Sequence, residues 1–144
     1  MYGEWSMRSK LGQERRILAL LAGYLNGFAP LSHRLDDMAT VVAEACLNAA
    51  EHGNGLDLHK RVRIRLQVDR ERAVCRILDE GSGFDYEGWM AAKADLPRAE
   101  DKLEEDNPRG WGLFLIQSLS DRVRFGYEAG TFYTEVEFVS NGEG

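Results

Sequence analysis

The stretch LDDMATVVAEACLNAAEHGNGLDLHKRVRIRLQVDRERAVCRILD, residues 35–79, changes its hydrophobic period once, and that change decides the fold class. Leu35, Met38, Val41, Val42, Ala45, Cys46 and Ala49 recur at helical spacing. They predict an amphipathic helix over about 35–52. Gly53-Asn54-Gly55 ends it, because glycine accepts the left-handed backbone that closes a helix. The period then drops to two. Val62, Ile64, Leu66 and Val68 point one way, and Arg61, Arg63, Arg65 and Gln67 the other, as along a half-buried strand. Residues 73–79 read as a second strand behind the polar turn Asp69 to Arg72. A connection this short joins antiparallel neighbours.

Outward from this stretch the same signals repeat. Residues 110–121 read as a helix, and 122–128 and 131–139 as strands around an Ala129-Gly130 hairpin. Upstream, Leu11, Ile17, Leu18, Leu21, Leu25 and Phe28 predict a helix over 11–28. Ala29-Pro30-Leu31-Ser32 breaks it. Residues 3–9 alternate loosely, as an edge strand would. Between the two halves, residues 85–108 have no period and carry Glu87, Asp95, Glu100, Asp101, Glu104, Glu105 and Asp106. A long unpatterned segment inside a small domain is often functional. The order β-α-α-β-β-loop-α-β-β predicts helices on one face of an antiparallel sheet, a two-layer α+β sandwich.

Composition sets the outer limits. With 144 residues, 44% apolar and 29% charged, the chain reads as a single domain over 1–144 with a core of its own. Collagen-like, low-complexity and disordered classes are excluded. The net charge of −6 opposes nucleic acid and anionic membrane as default partners. Arg61, Arg63 and Arg65 then read as a solvated strand face. Cys46 and Cys75 lie in apolar stretches and read as small buried hydrophobes. Arg15-Arg16 before Ile17 to Leu25 has the look of an export signal, but the apolar run is too short to span a bilayer and no small-residue cleavage site follows. A cytoplasmic location is expected.

Three clusters carry chemistry. Glu44, Asn48 and His52 stand at i, i+4 and i+8, one polar stripe on an otherwise apolar helix. A carboxylate beside an amide oxygen suits a hard cation such as Mg²⁺. The same stripe also fits a solvent-facing side. Asp79-Glu80-Gly81-Ser82-Gly83-Phe84 follows a strand, and its glycines permit a sharp turn or close approach to a ligand. Arg109-Gly110-Trp111-Gly112-Leu113-Phe114-Leu115-Ile116 opens a helix, where free N–H groups and the helix dipole attract anions. Arg109 could add a forked contact to phosphate.

Together, in this order and spacing, the clusters resemble the GHKL (Bergerat-fold) ATPase superfamily. Residues 44–54 are similar to its N box, 79–84 to its G1 box, 109–116 to its G2 box, and Gly130-Thr131 to its closing Gly-Thr motif. Within that superfamily, Glu44-x-x-x-Asn48-Ala-x-x-His52-Gly53-Asn54 and Leu115-Ile116 through Asp121 and Val123 resemble the bacterial anti-sigma factor serine kinases. The resemblance implies a two-layer sandwich with a mixed, mainly antiparallel sheet and helices on one face. It implies ATP and Mg²⁺, with Asn48 ligating the metal and Glu44 as general base toward a substrate serine. Asp79 would bind the adenine amine, supported by the Thr131 hydroxyl through a water. Gly81 and Gly83 would admit the nucleotide. Gly110 and Gly112 would present main-chain N–H groups to the phosphates, with Leu113 beside them and Arg109 near the γ-phosphate. His52 would complete the nucleotide-side set, although a histidine there also fits a helix-end hydrogen bonder. Residues 85–108 would be the ATP lid.

The partners implied are an anti-anti-sigma protein of the STAS type and a sigma factor, with a homodimer as a family expectation. A second reading is a nucleotide-gated binding module with little or no kinase activity. A third is the detached catalytic domain of a sensor histidine kinase, but none of His33, His52 and His59 sits in a dimerising helical hairpin that could carry a phosphoacceptor.

Overall fold

The alternation over 61–68 becomes the two faces of a five-stranded sheet. The computed structural model describes residues 2–26, 29–84 and 108–140. The expected lid, except Pro108, lies outside the described residues. The strands are β1 (Tyr2–Arg8), β2 (Arg61–Val68), β3 (Arg72–Asp79), β4 (Arg122–Glu128) and β5 (Thr131–Val139). The helices are α1 (Glu14–Leu25), α2 (Leu35–Asn48) and α3 (Pro108–Leu119). A 3-10 stretch, Ala29–Arg34, leads into α2, and a π turn, Ala49–Gly53, follows it.

The sheet order is β1-β2-β3-β5-β4. Every pairing among the described residues is antiparallel, where the resemblance implies a mixed sheet. The segment 3–9 is indeed an edge strand, paired along β2 from Tyr2↔Gln67 to Arg8↔Arg61. Helix boundaries move where backbone chemistry outweighs periodicity. α1 starts at Glu14, because Gly12 stands at φ +100° just before it and forms a turn that a helix cannot continue through.

The core lies between the inner sheet face and the helices. Val62, Ile64, Leu66, Val68, Cys75, Ile77, Val136 and Phe138 meet Ile17, Leu21, Leu25, Met38, Val41 and Val42 from α1 and α2. Leu113 and Ile116 bring α3 into the same core. Both cysteines are buried and unbridged. Burial pushes the Cys75 thiol up to about 12 and the Cys46 thiol well above its usual value, so they behave as apolar side chains.

The outer face carries the arginines, as the period-two pattern predicts. Arg65 pairs with Glu128 at 2.6 Å, and Arg76 bridges Glu128 and Glu135, each at 2.8 Å. Arg76 also lies over the Tyr133 ring, 3.8 Å from its centroid. Such partly exposed pairs add little stability, but they keep this face polar and wetted.

One clasp ties the helical layer to the sheet edge. Arg34 donates to Asp121 Oδ2 at 2.6 Å and to the Leu119 carbonyl at the end of α3 at 2.9 Å. The same Asp121 oxygen accepts from the Val139 backbone at 2.7 Å. Arg34→Ala strips three elements of one shared partner. It is expected to cost about 2 kcal/mol, read as a lower urea midpoint with an unchanged slope. A loss below about 0.5 kcal/mol, the level of an ordinary surface change, would contradict the clasp.

Candidate functional site

Helices α2 and α3 pack against each other, and Gly112 lies at their contact. A Cβ on Gly112 would lie 3.0 Å from Glu44 Oε2, 3.1 Å from Asn48 Nδ2 and 3.4 Å from Asn48 Oδ1. Glu44 and Asn48 therefore converge on the point where α3 has no side chain. Glu44 is partly buried, and loss of hydration raises its pKa above the usual glutamate value. Asn48 Nδ2 is buried with no hydrogen-bond partner among the described residues. A buried amide left in this state costs about 1–3 kcal/mol. An orphan of this kind calls for an explanation, such as a ligand.

The stripe read from sequence holds for Glu44 and Asn48 but not for His52. The π turn Ala49–Gly53 carries more residues per turn than an α-helix, so His52 rotates off the stripe and is exposed. Neither the sequence period nor the helix stop signalled this wide turn.

Asp79 ends β3 on the inner face and is 3% exposed. Its Oδ1 accepts from the Gly81 backbone N–H at 2.8 Å. Gly53, at the end of the π turn, lies directly against it: a Cβ there would sit 2.6 Å from Asp79 Oδ1. Gly81 lies in turn against Gly53, whose carbonyl carbon and Cα would be 2.8 and 2.9 Å from an added Cβ. The two predicted boxes are thus in backbone contact, and two glycines make that possible.

Gly83 stands at φ +83°, and a Cβ on it would lie 2.7 Å from Phe132. Phe84 meets Phe125 and Phe132 edge-on, with centroids 5.3 and 5.8 Å apart. Tyr127 donates to the Ser82 carbonyl at 2.7 Å. This aromatic cluster holds the 81–84 turn on β4 and β5. The sequence reading missed it, because only strand pairing brings Phe125, Tyr127 and Phe132 beside residue 84.

The glycines before α3 change role. The helix already begins at Pro108, so Gly110 stays in its first turn, where N–H groups lack intrahelical acceptors. Gly112 falls beyond that turn, and its contribution is a missing side chain rather than an N–H for phosphate. Arg109 belongs to the first turn, but its side chain lies outside the described part. Leu113 is 4% exposed and packed in the core, so its side chain supports the site from behind instead of lining it.

Thr131 faces away from the site. Asp79 pairs with Phe132, and Phe132, Val136 and Phe138 are the buried residues of β5. Thr131 is one step out of phase. It lines a hollow on the outer face with Ser6, His59, Arg61, Arg63 and Glu80. The threonine in phase with the inner set is Thr134, opposite Ile77 of β3. Counting back by twos from Phe138 would have found it.

The profile of the histidine kinase-like ATPase domain matches residues 7–139 of this chain. The chain belongs to that family. Among members of this ATPase family with curated names, the serine-protein kinase RsbW of Bacillus subtilis (strain 168) is 30% identical over 125 residues, spanning 85% of this chain and 76% of that protein. Two solved structures share the ATPase fold. The RsbU and RsbW domains of Rv1364c from Mycobacterium tuberculosis superpose with a TM-score of 0.66 at 15% identity, over 98% of this chain and 33% of that one. The SiaB-SiaC complex from Pseudomonas aeruginosa gives 0.64 at 16% identity, over 95% and 89%. The chain thus spans about a third of that solved two-domain chain. The match agrees with the family resemblance read from residues 44–54, 79–84 and 109–116.

Proposed function

We propose that this chain is an ATP-dependent serine protein kinase that phosphorylates an anti-anti-sigma protein of the STAS type and sequesters a sigma factor. The observation that carries the reading is the convergence of Glu44 and Asn48 on Gly112, with Asn48 Nδ2, a donor that a phosphate oxygen would satisfy, finding no partner among the described residues. Family membership supports ATP as the phosphoryl donor, and a name among the relatives, serine-protein kinase RsbW, supports serine as the acceptor.

The residues fit a magnesium-bound nucleotide. Asn48 offers a single amide oxygen, and among the described residues no three of His, Cys, Asp and Glu gather as a metal cage. A single amide oxygen fits Mg²⁺, which takes few protein ligands and keeps phosphate and water oxygens. A cation held there would neutralise phosphate charge. Asp79 accepts from the adenine amine. Gly81 and Gly83, packed against Gly53 and Phe132, hold the turn that carries Asp79, while the first turn of α3 at Gly110 would offer N–H groups, and Arg109 a charge, to the phosphates. Thr134 shares the face of Asp79, whereas Thr131 does not. Glu44 takes the proton of the substrate serine as its oxygen bonds to phosphorus and the bridging oxygen leaves with the nucleoside diphosphate. Phosphoryl transfer asks mainly for this positioning and charge neutralisation. No helix among the described residues is long and apolar enough to cross a membrane.

The test is incubation with γ-labelled ATP, Mg²⁺ and candidate STAS proteins. Acid-stable phosphoserine on one of them is the expected product. ATP binding without transfer would favour the nucleotide-gated module, and acid-labile phosphohistidine would favour the histidine-kinase reading. In the same assay Asp79→Asn is expected to weaken ATP binding about tenfold, because a charged acceptor becomes a neutral one. Unchanged affinity by titration calorimetry would remove Asp79 from the base site.

A further inference from the structure

We propose that Asn54 is a positioning residue that sets the nucleobase selectivity of the site, by locking the Asp79–Gly81 turn against the end of α2. This rests on the assignment of Asp79 to the adenine amine.

Asn54 is 3% exposed, and its side chain is fully engaged. Nδ2 donates to Ser9 Oγ at 2.9 Å and to the Arg61 carbonyl at 3.1 Å. Oδ1 accepts from the Glu80 backbone N–H at 2.7 Å. Its own backbone N–H donates to the Ala49 carbonyl at 2.8 Å and closes the π turn. Ser9, itself buried, donates its hydroxyl hydrogen bond to the Lys60 carbonyl at 2.6 Å. One amide therefore joins the π turn, the segment after β1, the start of β2 and the end of β3. Only a planar amide supplies two donors and an acceptor from so short a side chain; aspartate lacks the donors and serine lacks the reach.

The arm that matters for recognition is the bond from Glu80. Its peptide follows Asp79 directly, so holding it fixes the root of the Asp79 side chain. The Gly81 N–H then holds one carboxylate oxygen, and Gly53 closes over the group from the π turn. A carboxylate separates adenine from guanine because one base presents an amine where the other presents a carbonyl oxygen. A site built to accept that amine discriminates steeply. The discrimination survives only while the carboxylate stays in place. In this arrangement Asn54 is the side chain that anchors the turn to the helix bearing Glu44 and Asn48.

The experiment compares ATP and GTP affinities by titration calorimetry, with thermal unfolding in parallel. Asn54→Ala removes the Glu80 arm and is expected to lower the ATP-over-GTP preference about tenfold. Asn54→Asp keeps the acceptor for Glu80 but loses both donors; it is expected to be less stable yet to retain the preference. Ser9→Ala removes a bond of the same node away from Glu80 and is also expected to lower stability alone. Should Asn54→Ala not fold, Asn54→Ser carries the same expectation, because its hydroxyl cannot span to the Glu80 amide. Equal losses for ATP and GTP in the arm-deleting variant, or a matching fall in preference in Ser9→Ala, would overturn the inference. A wild type that prefers ATP while the arm-deleting variant keeps that preference overturns the inference alone. A wild type that binds both nucleotides alike overturns the Asp79 assignment as well.

Discussion

Glu44→Gln is expected to slow phosphoserine formation by about 10²–10⁴-fold, the usual contribution of a positioned general base, while ATP still binds. Glutamine keeps the size and the polar contacts of the site but cannot take a proton. The position justifies the size of the effect: Glu44 Oε2 lies at the point where α3 has only a glycine hydrogen, beside Asn48 Nδ2, which has no partner among the described residues. The pH profile gives a second readout. Burial raises the Glu44 pKa above the usual glutamate value, and the base works only when ionised. The rate is therefore full above that raised value and falls as pH drops through it, so the acid limb stands at higher pH than an exposed glutamate would give. The glutamine variant should lose this limb. An unaltered rate, or a limb that survives the substitution, would dismiss Glu44 as the base.

Gly81→Ala is the second large effect, and it acts on folding first. A methyl at this position would meet the backbone of Gly53, with its carbonyl carbon at 2.8 Å and its Cα at 2.9 Å. No flexible side chain is available to swing away; the π turn or the end of β3 must move. Overpacking against backbone is expected to cost about 3 kcal/mol, seen as a large fall in the denaturant midpoint. ATP binding should fail in whatever remains folded, since the shift separates Asp79 from the end of α2. Near-native stability together with wild-type ATP affinity would mean that the two boxes do not touch as described.

The base role of Glu44 follows from the sequence resemblance, whereas its raised acid limb and the clash of Gly81 with Gly53 follow only from the fold. Glu44 and Asn48 were legible because four residues is close to one helical turn, and their polarity stands out on an apolar stripe. His52 followed the same arithmetic and left the stripe, because the turn widens after Asn48. Arg61, Arg63 and Arg65 were read correctly as an outer face, since alternation needs no partner strand to be recognised. The side on which Thr131 stands is not legible in the same way, because it depends on register against β3. Asn54 stands within a motif of the sequence, but its three side-chain bonds reach Ser9, Arg61 and Glu80, which lie together only in the folded chain.

The chain's own order of residues determined the periods, the turns and the three polar or glycine-rich boxes, and through them the layered fold and the family. These are local properties, written in spacings of two to four residues. Tertiary structure alone decided which glycine meets which backbone, which threonine faces inward and which amide nitrogen finds no partner among the described residues. Each of those depends on the register of strands and the approach of helices far apart in the chain, and a shift of one residue reverses the face of every side chain in a strand.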